Sequence, residues 1–175
     1  MNKVEPIRSI EKIDEMKKFL GTDRNVMLFT LGINSGLRIS DIIKLTVDDV
    51  KEEIIVREKK TGKIKQFKLN PDVFAKLKEY ASHCTKWLFP SRKGDKPIST
   101  VQAWRIIKSA AEKCNLEHIG THSMRKSFGY HAYRMGVPIG YLMSAFNHSS
   151  ESITMRYIGI VQEELNDKVY TQMAL

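Results

Sequence analysis

The sequence has few cysteines and no long apolar segment, and both shortages exclude classes of protein. Its two cysteines, Cys84 and Cys114, lack the CxxC or Cys/His spacing of a metal site. No apolar run approaches the roughly 20 residues that span a bilayer. Residues 1–18 alternate charge with isolated apolar side chains, unlike a secretion signal. We therefore expect reduced, structural cysteines and a cytoplasmic location.

Acidic residues are outnumbered by basic ones, and this imbalance indicates a class of partner. Lys and Arg total 29 against 20 Asp and Glu, which gives a net charge of +9 and a pI near 9.5. Such a balance favours polyanions, namely DNA, RNA or an anionic membrane surface. Hydrophobic residues at 42% and charged residues at 28% of the chain are typical of a globular protein. The 175 residues suit one domain with one core.

Apolar periodicity predicts an α+β domain that is mostly helical, with about seven to eight helices and one small antiparallel hairpin. Residues 53–57 and 64–69 are rich in β-branched and aromatic side chains on either side of Lys60-Thr61-Gly62, which predicts the hairpin. Helical spacing follows Ser9, Pro71 and Ser99. Of the other predicted helices, one ends near Gly36, one follows Ser40, one runs from Thr121 towards Gly136 and one ends near Phe146. Another opens at Ser150 or Glu151, and the last carries an apolar stripe of Val161, Leu165, Val169 and Met173.

Four separated segments combine Arg, Lys, His and Tyr, and each alone has an ordinary structural interpretation. They are Gly-Leu-Arg-Ile-Ser-Asp at 36–41, Lys-Thr-Gly at 60–62, His-Ser-Met-Arg at 122–125, and Asn147-His148 followed by Tyr157. Arg38 and Asp41 could form an ion pair at a helix start, and Lys60 could be a solvated strand end. His122 and Arg125, one helical turn apart, could be a surface pair. Tyr157 alone is typical of a core aromatic with a satisfied hydroxyl.

Taken in order, these segments resemble the tyrosine recombinase (phage integrase) family over nearly the whole chain. That family has an arginine in Gly-Leu-Arg-x-Ser-Glu/Asp, a lysine on a β-hairpin, a His-x-Leu-Arg segment that opens a helix, and a histidine nine residues before a tyrosine. The matching residues here are Arg38, Asp41, Lys60, His122, Arg125, His148 and Tyr157. The resemblance implies the catalytic-domain fold of the family across residues 1–175. Family members usually carry a core-binding domain before it, which we expect to be absent here, so that the chain is either a catalytic fragment or a short stand-alone member.

The resemblance implies a site-specific DNA recombinase that forms a covalent 3′-phosphotyrosyl intermediate. The Tyr157 hydroxyl would attack a DNA phosphodiester. Two guanidinium groups, those of Arg38 and Arg125, would clamp its non-bridging oxygens with charge-assisted bonds. A second 5′-hydroxyl would reverse the step, so the phosphotyrosine bond keeps the energy of the broken phosphodiester.

The remaining matched residues are implied to move protons or to hold their neighbours. Lys60 would protonate the leaving 5′-oxygen, His122 would assist proton transfer at the tyrosine or the phosphate, and His148 would donate to a phosphate oxygen. Asp41 would orient neighbouring groups. We expect no cofactor and no metal, because the sequence has no Asp/Glu cluster for Mg²⁺ and no Gly-rich phosphate loop.

Two departures from the family pattern and two alternatives stay open. Phe146-Asn147 stands where the family has Leu-Gly, and Asn tolerates left-handed backbone better than most residues. Lys68 stands before Leu69 where a proline is usual.

The alternatives are a non-catalytic DNA-binding integrase remnant and a type IB topoisomerase. The implied partners are double-stranded DNA and other protomers. The protein is expected to be a monomer when free and to form a tetramer on DNA. The last stripe would dock on a neighbouring protomer or pack on its own domain.

Overall fold

Residues 4–160 and 169–174 are described by a computed structural model, and they form helices around one hairpin. In chain order the elements are α1 (Ile10–Phe19), α2 (Asp23–Ser35), α3 (Ile39–Ile42), a 3₁₀ turn (Val47–Asp49), β1 (Ile54–Arg57), β2 (Ile64–Phe67), α4 (Pro71–Ala81), α5 (Thr100–Lys113), α6 (Thr121–Arg134), α7 (Ile139–Phe146) and α8 (Glu151–Tyr157). The predicted fold class is therefore confirmed.

Local polar residues fix where the helices begin, as the sequence predicts. The Ser9 side chain accepts a hydrogen bond from the Lys12 amide at the start of α1, and the Ser150 side chain accepts one from the Ile153 amide at the start of α8. Ser99 and Gln102 form a reciprocal capping box on α5. The third helix begins two residues earlier than predicted, at Ile39, because Arg38 takes the extended N-cap conformation.

The core has two parts, and α6 contributes to both. The larger part includes α2, which lies so close to α6 that a Cβ atom at Gly32 would come within 2.5 Å of the Met124 sulfur. Only glycine permits that approach. The smaller part joins the end of α6 to α7 and α8, and its buried members are Tyr130, Leu142, Phe146, Ile158 and Ile160. Because α6 spans both parts, it holds the C-terminal helices against the rest of the domain.

The hairpin is antiparallel, with pairs running from Ile54↔Phe67 to Arg57↔Ile64. The alternation of the strand turns Ile54 and Val56 into the core. Residues 58–63, called the hairpin loop below, close between the strands through a 2.8 Å bond from the Gly62 amide to the Glu58 carbonyl. Lys60 therefore lies at the tip of a short, internally bonded turn.

At the surface and near the C-terminus, the structure differs from some of the sequence predictions or does not describe the residues concerned. Trp104, on the helix predicted after Ser99, leaves 47% of its surface exposed. Val161 and Leu165 of the last stripe lie outside the described residues, while Val169 and Met173 are exposed. None of the described helices has the length and apolarity that a bilayer crossing requires.

Candidate active site

Arg38 is positioned by a chain reversal at the end of α2. Gly36 caps α2 with left-handed backbone, at φ 60° and ψ 17°. A Cβ atom at this position would also lie 2.5 Å from the Phe128 ring. Both the backbone and the space require glycine. The reversal leaves Arg38 at the start of α3, with 16% of its side chain exposed.

Arg125 connects the ends of α2 and α7 from the second turn of α6. It is almost wholly buried, and its Nη1 donates to the Gly36 carbonyl. Its Nη2 donates to the Phe146 carbonyl at 3.2 Å, at the end of α7. Its guanidinium also lies near the Tyr157 side chain at the end of α8, where its charge acts on the pKa of the phenol. Arg125 thus fixes the end of α7 relative to the loop that carries Arg38.

Glu58 lies between the two arginines, and no sequence motif singled it out. Its carboxylate is fully buried, with Oε1 2.9 Å from Arg38 Nη1 and 3.9 Å from Arg125 Nη1. Burial acts to raise the pKa of Glu58, but the Thr61 hydrogen bond and the Arg38 charge outweigh it and the pKa is lowered. One signal was available, because the alternation that buries Ile54 and Val56 also turns position 58 inward.

Asp41 anchors the hairpin loop rather than pairing with Arg38. Its buried carboxylate accepts the Lys59 amide at 2.9 Å. The local ion pair considered for Arg38 and Asp41 is therefore replaced by the longer-range pair with Glu58. Lys60, the next residue, is exposed, and its charge is among those that depress the pKa of His122. Asp41 thereby fixes the backbone beside the predicted catalytic lysine.

His122 opens α6 one turn before Arg125 and faces a cluster of positive charge. Its side chain keeps solvent access, yet desolvation by the surrounding protein lowers its pKa, and the charges of Arg125 and Arg38 lower it further. Its ordinary pKa is already near 6.5. His122 is therefore neutral at pH 7 and able to accept a proton.

His148 follows a left-handed turn and lies against the tyrosine. Asn147 adopts φ 56° and ψ 43°, so asparagine does provide the left-handed cap at this departure from the family pattern. The His148 and Tyr157 rings meet edge to face, with centroids 5.0 Å apart. His148 Nδ1 lies 3.0 Å from the Thr154 hydroxyl oxygen, and that hydroxyl donates to the Ser150 carbonyl. This pattern assigns the proton to Nδ1 and leaves Nε2 as an acceptor.

Tyr157 is a half-buried phenol surrounded by cations. Burial raises its pKa, while the charge of Arg125 partly offsets the rise. The Lys126 ammonium lies 5.2 Å from the centroid of its ring. The phenol is therefore protonated at neutral pH, and it needs an acceptor for that proton before or as it reacts.

Lys65 is a second residue that the motifs missed. It pairs with Val56 in the hairpin, and its Nζ donates to the Ser35 carbonyl at 3.3 Å. Desolvation, followed by the charge of Arg125, lowers the pKa of Lys65 to about 8. The alternation of residues along the strand predicts that Lys65 lies on the inward face, but it does not predict how close Lys65 lies to the arginines. The seven predicted residues and these two therefore meet around one site.

Lys65→Met is expected to stabilise the fold at pH 7 by about 1–2 kcal/mol, because a buried charge is removed. The lowered pKa means that the cost of burying this charge is fully present below about pH 8. Between about 8 and the ordinary 10.5, the folded state has released a proton that the unfolded state keeps. Wild-type stability therefore rises through that window, and the variant should lose the rise.

Urea unfolding across that pH range measures the effect of Lys65→Met. Lys68→Met is the matched control. Lys68 lies one residue beyond the end of β2, is exposed, and forms an ion pair with exposed Glu52. It should shift stability by less than about 0.5 kcal/mol. A less stable Lys65→Met protein at pH 7 would contradict the cost assigned to this charge.

Among the described residues, no group of three or more His, Cys, Asp or Glu side chains has the arrangement of a metal site. The chemistry available in this part of the chain is that of a nucleophilic phenol, two guanidinium groups, lysines and neutral imidazoles. Such a set suits an anionic electrophile whose charge grows during reaction.

Comparison with known proteins gives relatives that match in sequence and in structure. The chain is 46% identical over 169 residues to the probable integrase/recombinase YoeC of Bacillus subtilis, covering 93% of each chain. It is 28% identical over 155 residues to the tyrosine recombinase XerA of Pyrococcus furiosus, but it spans only 53% of that protein.

Solved structures share the fold at low sequence identity. A crystal structure of XerA recombinase superposes with a TM-score of 0.80 at 18% identity, over 98% of this chain and 66% of that one. The XerH site-specific recombinase bound to its difH substrate gives a TM-score of 0.73, over 97% of this chain and 54% of that one. The model of the phage integrase family matches residues 7–164. With that match over most of its length, the chain belongs to the phage integrase family.

Proposed function

We propose that this chain is the catalytic domain of a tyrosine site-specific recombinase, which cleaves and rejoins DNA through a 3′-phosphotyrosyl bond to Tyr157. The observation that supports it most directly is the placement of Tyr157 against His148 and within the charge of both Arg125 and Arg38. A nucleophile held beside phosphate-binding groups loses little further freedom when the phosphate arrives.

The arginines would supply most of the transition-state stabilisation. The non-bridging oxygens of a phosphodiester gain negative charge during attack, and preorganised donors in a partly dry site lower the barrier by roughly 3–4 kcal/mol each. Carbonyl bonds and Glu58 already fix both guanidinium groups in the free protein. Little reorganisation is then needed when the phosphate arrives.

The protons balance across the cleavage step. The Tyr157 oxygen forms a bond to phosphorus, its proton passes to neutral His122, and the bond from phosphorus to the 5′-oxygen breaks as Lys60 protonates that oxygen. His148 would donate to a phosphate oxygen only as an imidazolium, since its Nδ1 proton is directed to Thr154. The approaching phosphate anion favours that second proton. A 5′-hydroxyl reverses the step without ATP.

Double-stranded DNA is the partner that the charge and the relatives support. The chain carries +9 overall, and XerH, a structural neighbour, is described bound to its difH substrate. Phosphate contacts by lysine and arginine would supply most of the non-specific affinity.

Covalent capture on nicked DNA tests the proposed function. Duplexes with a randomised central region and a nick near the cleavage position would lose the short 5′-hydroxyl fragment, so religation fails and the adduct accumulates. We expect a protein band shifted on a denaturing gel, formed equally well in excess EDTA. Sequencing the captured strands would give the site. The absence of any adduct would favour a non-catalytic DNA-binding remnant, and site-independent relaxation of supercoils would favour a topoisomerase.

We propose that the free protein is a monomer and that tetramers form only on DNA. A head-to-tail contact between copies closes into a ring only when DNA fixes the angle between subunits. Light scattering with and without a captured site should give a monomer mass and then a multiple of it. A stable tetramer without DNA would refute this assembly.

A further inference from the structure

Asn147 makes contacts that the glycine usual at this position could not make. Its backbone is left-handed, at φ 56°, which is the conformation that favours glycine. The residue is exposed as a whole, but its amide extends to the hairpin loop, more than 80 positions earlier in the chain. The Nδ2 group donates to Glu58 Oε2 at 3.3 Å, and Oδ1 accepts from Lys63 Nζ at 3.3 Å.

These two contacts hold both ends of the hairpin loop. Glu58 is its first residue and Lys63 its last, and the loop between them carries Lys60. The same carboxylate oxygen that accepts from Asn147 also accepts the Thr61 hydroxyl at 2.8 Å. On the other side of the loop, Asp41 accepts the Lys59 amide. Asn147 thus completes a set of side-chain bonds that surrounds the one loop residue assigned to proton donation.

The Asn147 contacts also join the hairpin loop to the rest of the site. The other oxygen of the Glu58 carboxylate pairs with Arg38, and the carbonyl just before Asn147, that of Phe146, accepts from Arg125. His148 follows directly. A shift of the α7–α8 turn would therefore be transmitted through the Asn147 amide to the loop that bears Lys60.

We propose that Asn147 is a positioning residue that fastens the hairpin loop to the α7–α8 turn and thereby sets the place of Lys60 during leaving-group protonation. This rests on the proposed function for the catalytic consequence, though not for the contact itself. A bond to a charged carboxylate is stronger than a neutral one, and this carboxylate is fully buried. The loop is thus held by Asn147 in the absence of DNA.

Hydrogen exchange on the free protein tests the contact without any assay of activity. Asn147→Gly keeps the left-handed backbone and removes only the amide. The Glu58 and Gly62 amides, which bond across the loop, should exchange about fivefold faster, the equivalent of about 1 kcal/mol. The matched control is Asn115→Gly, since Asn115 is another exposed asparagine with positive φ, at 53°. It should leave those two amides unchanged. Unchanged exchange in Asn147→Gly would overturn the proposal.

Two substrates test the consequence for Lys60. A 5′-sulfur leaving group needs no proton, so Lys60→Ala should be slow on the oxygen substrate and restored on the sulfur one. Asn147→Gly should follow the same pattern more weakly, about fivefold slower on oxygen and unchanged on sulfur, whereas Asn115→Gly should match wild type on both. Equal slowing of Asn147→Gly on both substrates, or none, would overturn the positioning of Lys60. If wild type forms no adduct with either substrate, the proposed function fails, while hydrogen exchange still decides the contact.

Discussion

Tyr157→Phe is expected to abolish covalent DNA capture while DNA binding stays nearly unchanged. The substitution removes one oxygen, the nucleophile, and keeps the ring that contacts His148 and Phe146. Arg125 keeps its hydrogen bonds to the carbonyls of Gly36 and Phe146. The free energy of unfolding should therefore change by only about 1 kcal/mol.

The measurement for Tyr157→Phe is the shifted band on a denaturing gel, together with a binding isotherm on the same duplex. Tyr141→Phe is the matched control, because Tyr141 lies on the adjacent helix α7 and is 72% exposed. It should form the adduct at the wild-type rate. A normal adduct from Tyr157→Phe would remove Tyr157 from the nucleophilic role.

The parts of the fold that the sequence predicts depend on local physics. Ser9 and Ser99 cap helices because their side-chain oxygens satisfy nearby amides, and Gly36 ends α2 because its backbone is left-handed. Asn147 takes the left-handed turn for the same kind of reason. Each of these outcomes is decided within about five residues of chain, which a single sequence contains in full.

The parts that the sequence did not predict depend on distant partners. Arg38 has a carboxylate three positions away, yet it pairs with Glu58 on the hairpin. Lys65 in a strand looks like any solvated lysine until the end of α2 is placed beside it. Strand alternation indicates that both residues face inward, but not which charges they meet. That information appears only once the hairpin, α2 and α6 are packed together.

Arg38→Ala is expected to slow cleavage by at least about a hundredfold, the cost of losing one preorganised donor. It should also destabilise the fold by roughly 3 kcal/mol, because Glu58 becomes a buried carboxylate without its close cation. Arg125, 3.9 Å away, remains as a weaker partner. Arg38 suits this test better than Arg125, since Arg125 also bonds two backbone carbonyls.

The pH dependence of unfolding should report the loss of the Arg38 partner. In wild type the lowered pKa of Glu58 means that its stabilising charge is present above its ordinary value of 4.5 and is lost as the pH falls through the folded value. Without Arg38 the folded pKa rises above that of the unfolded chain, so the variant should gain stability as the pH falls from about 8 towards 4.5, a gain that Glu58 does not produce in wild type. Denaturation between about pH 4 and 8 would show the shift.

The double variant Arg38→Ala/Glu58→Gln separates stability from catalysis. A neutral amide at position 58 can still bond to Thr61 and needs no cation, so most of the lost unfolding free energy should return. Cleavage should stay slow, because the phosphate still lacks its second guanidinium. If cleavage returns together with stability, the function of Arg38 is to neutralise Glu58, and Arg125 alone binds the phosphate. If neither returns, the damage of Arg38→Ala lies in α3 and the hairpin, and the pairing with Glu58 is not its cause.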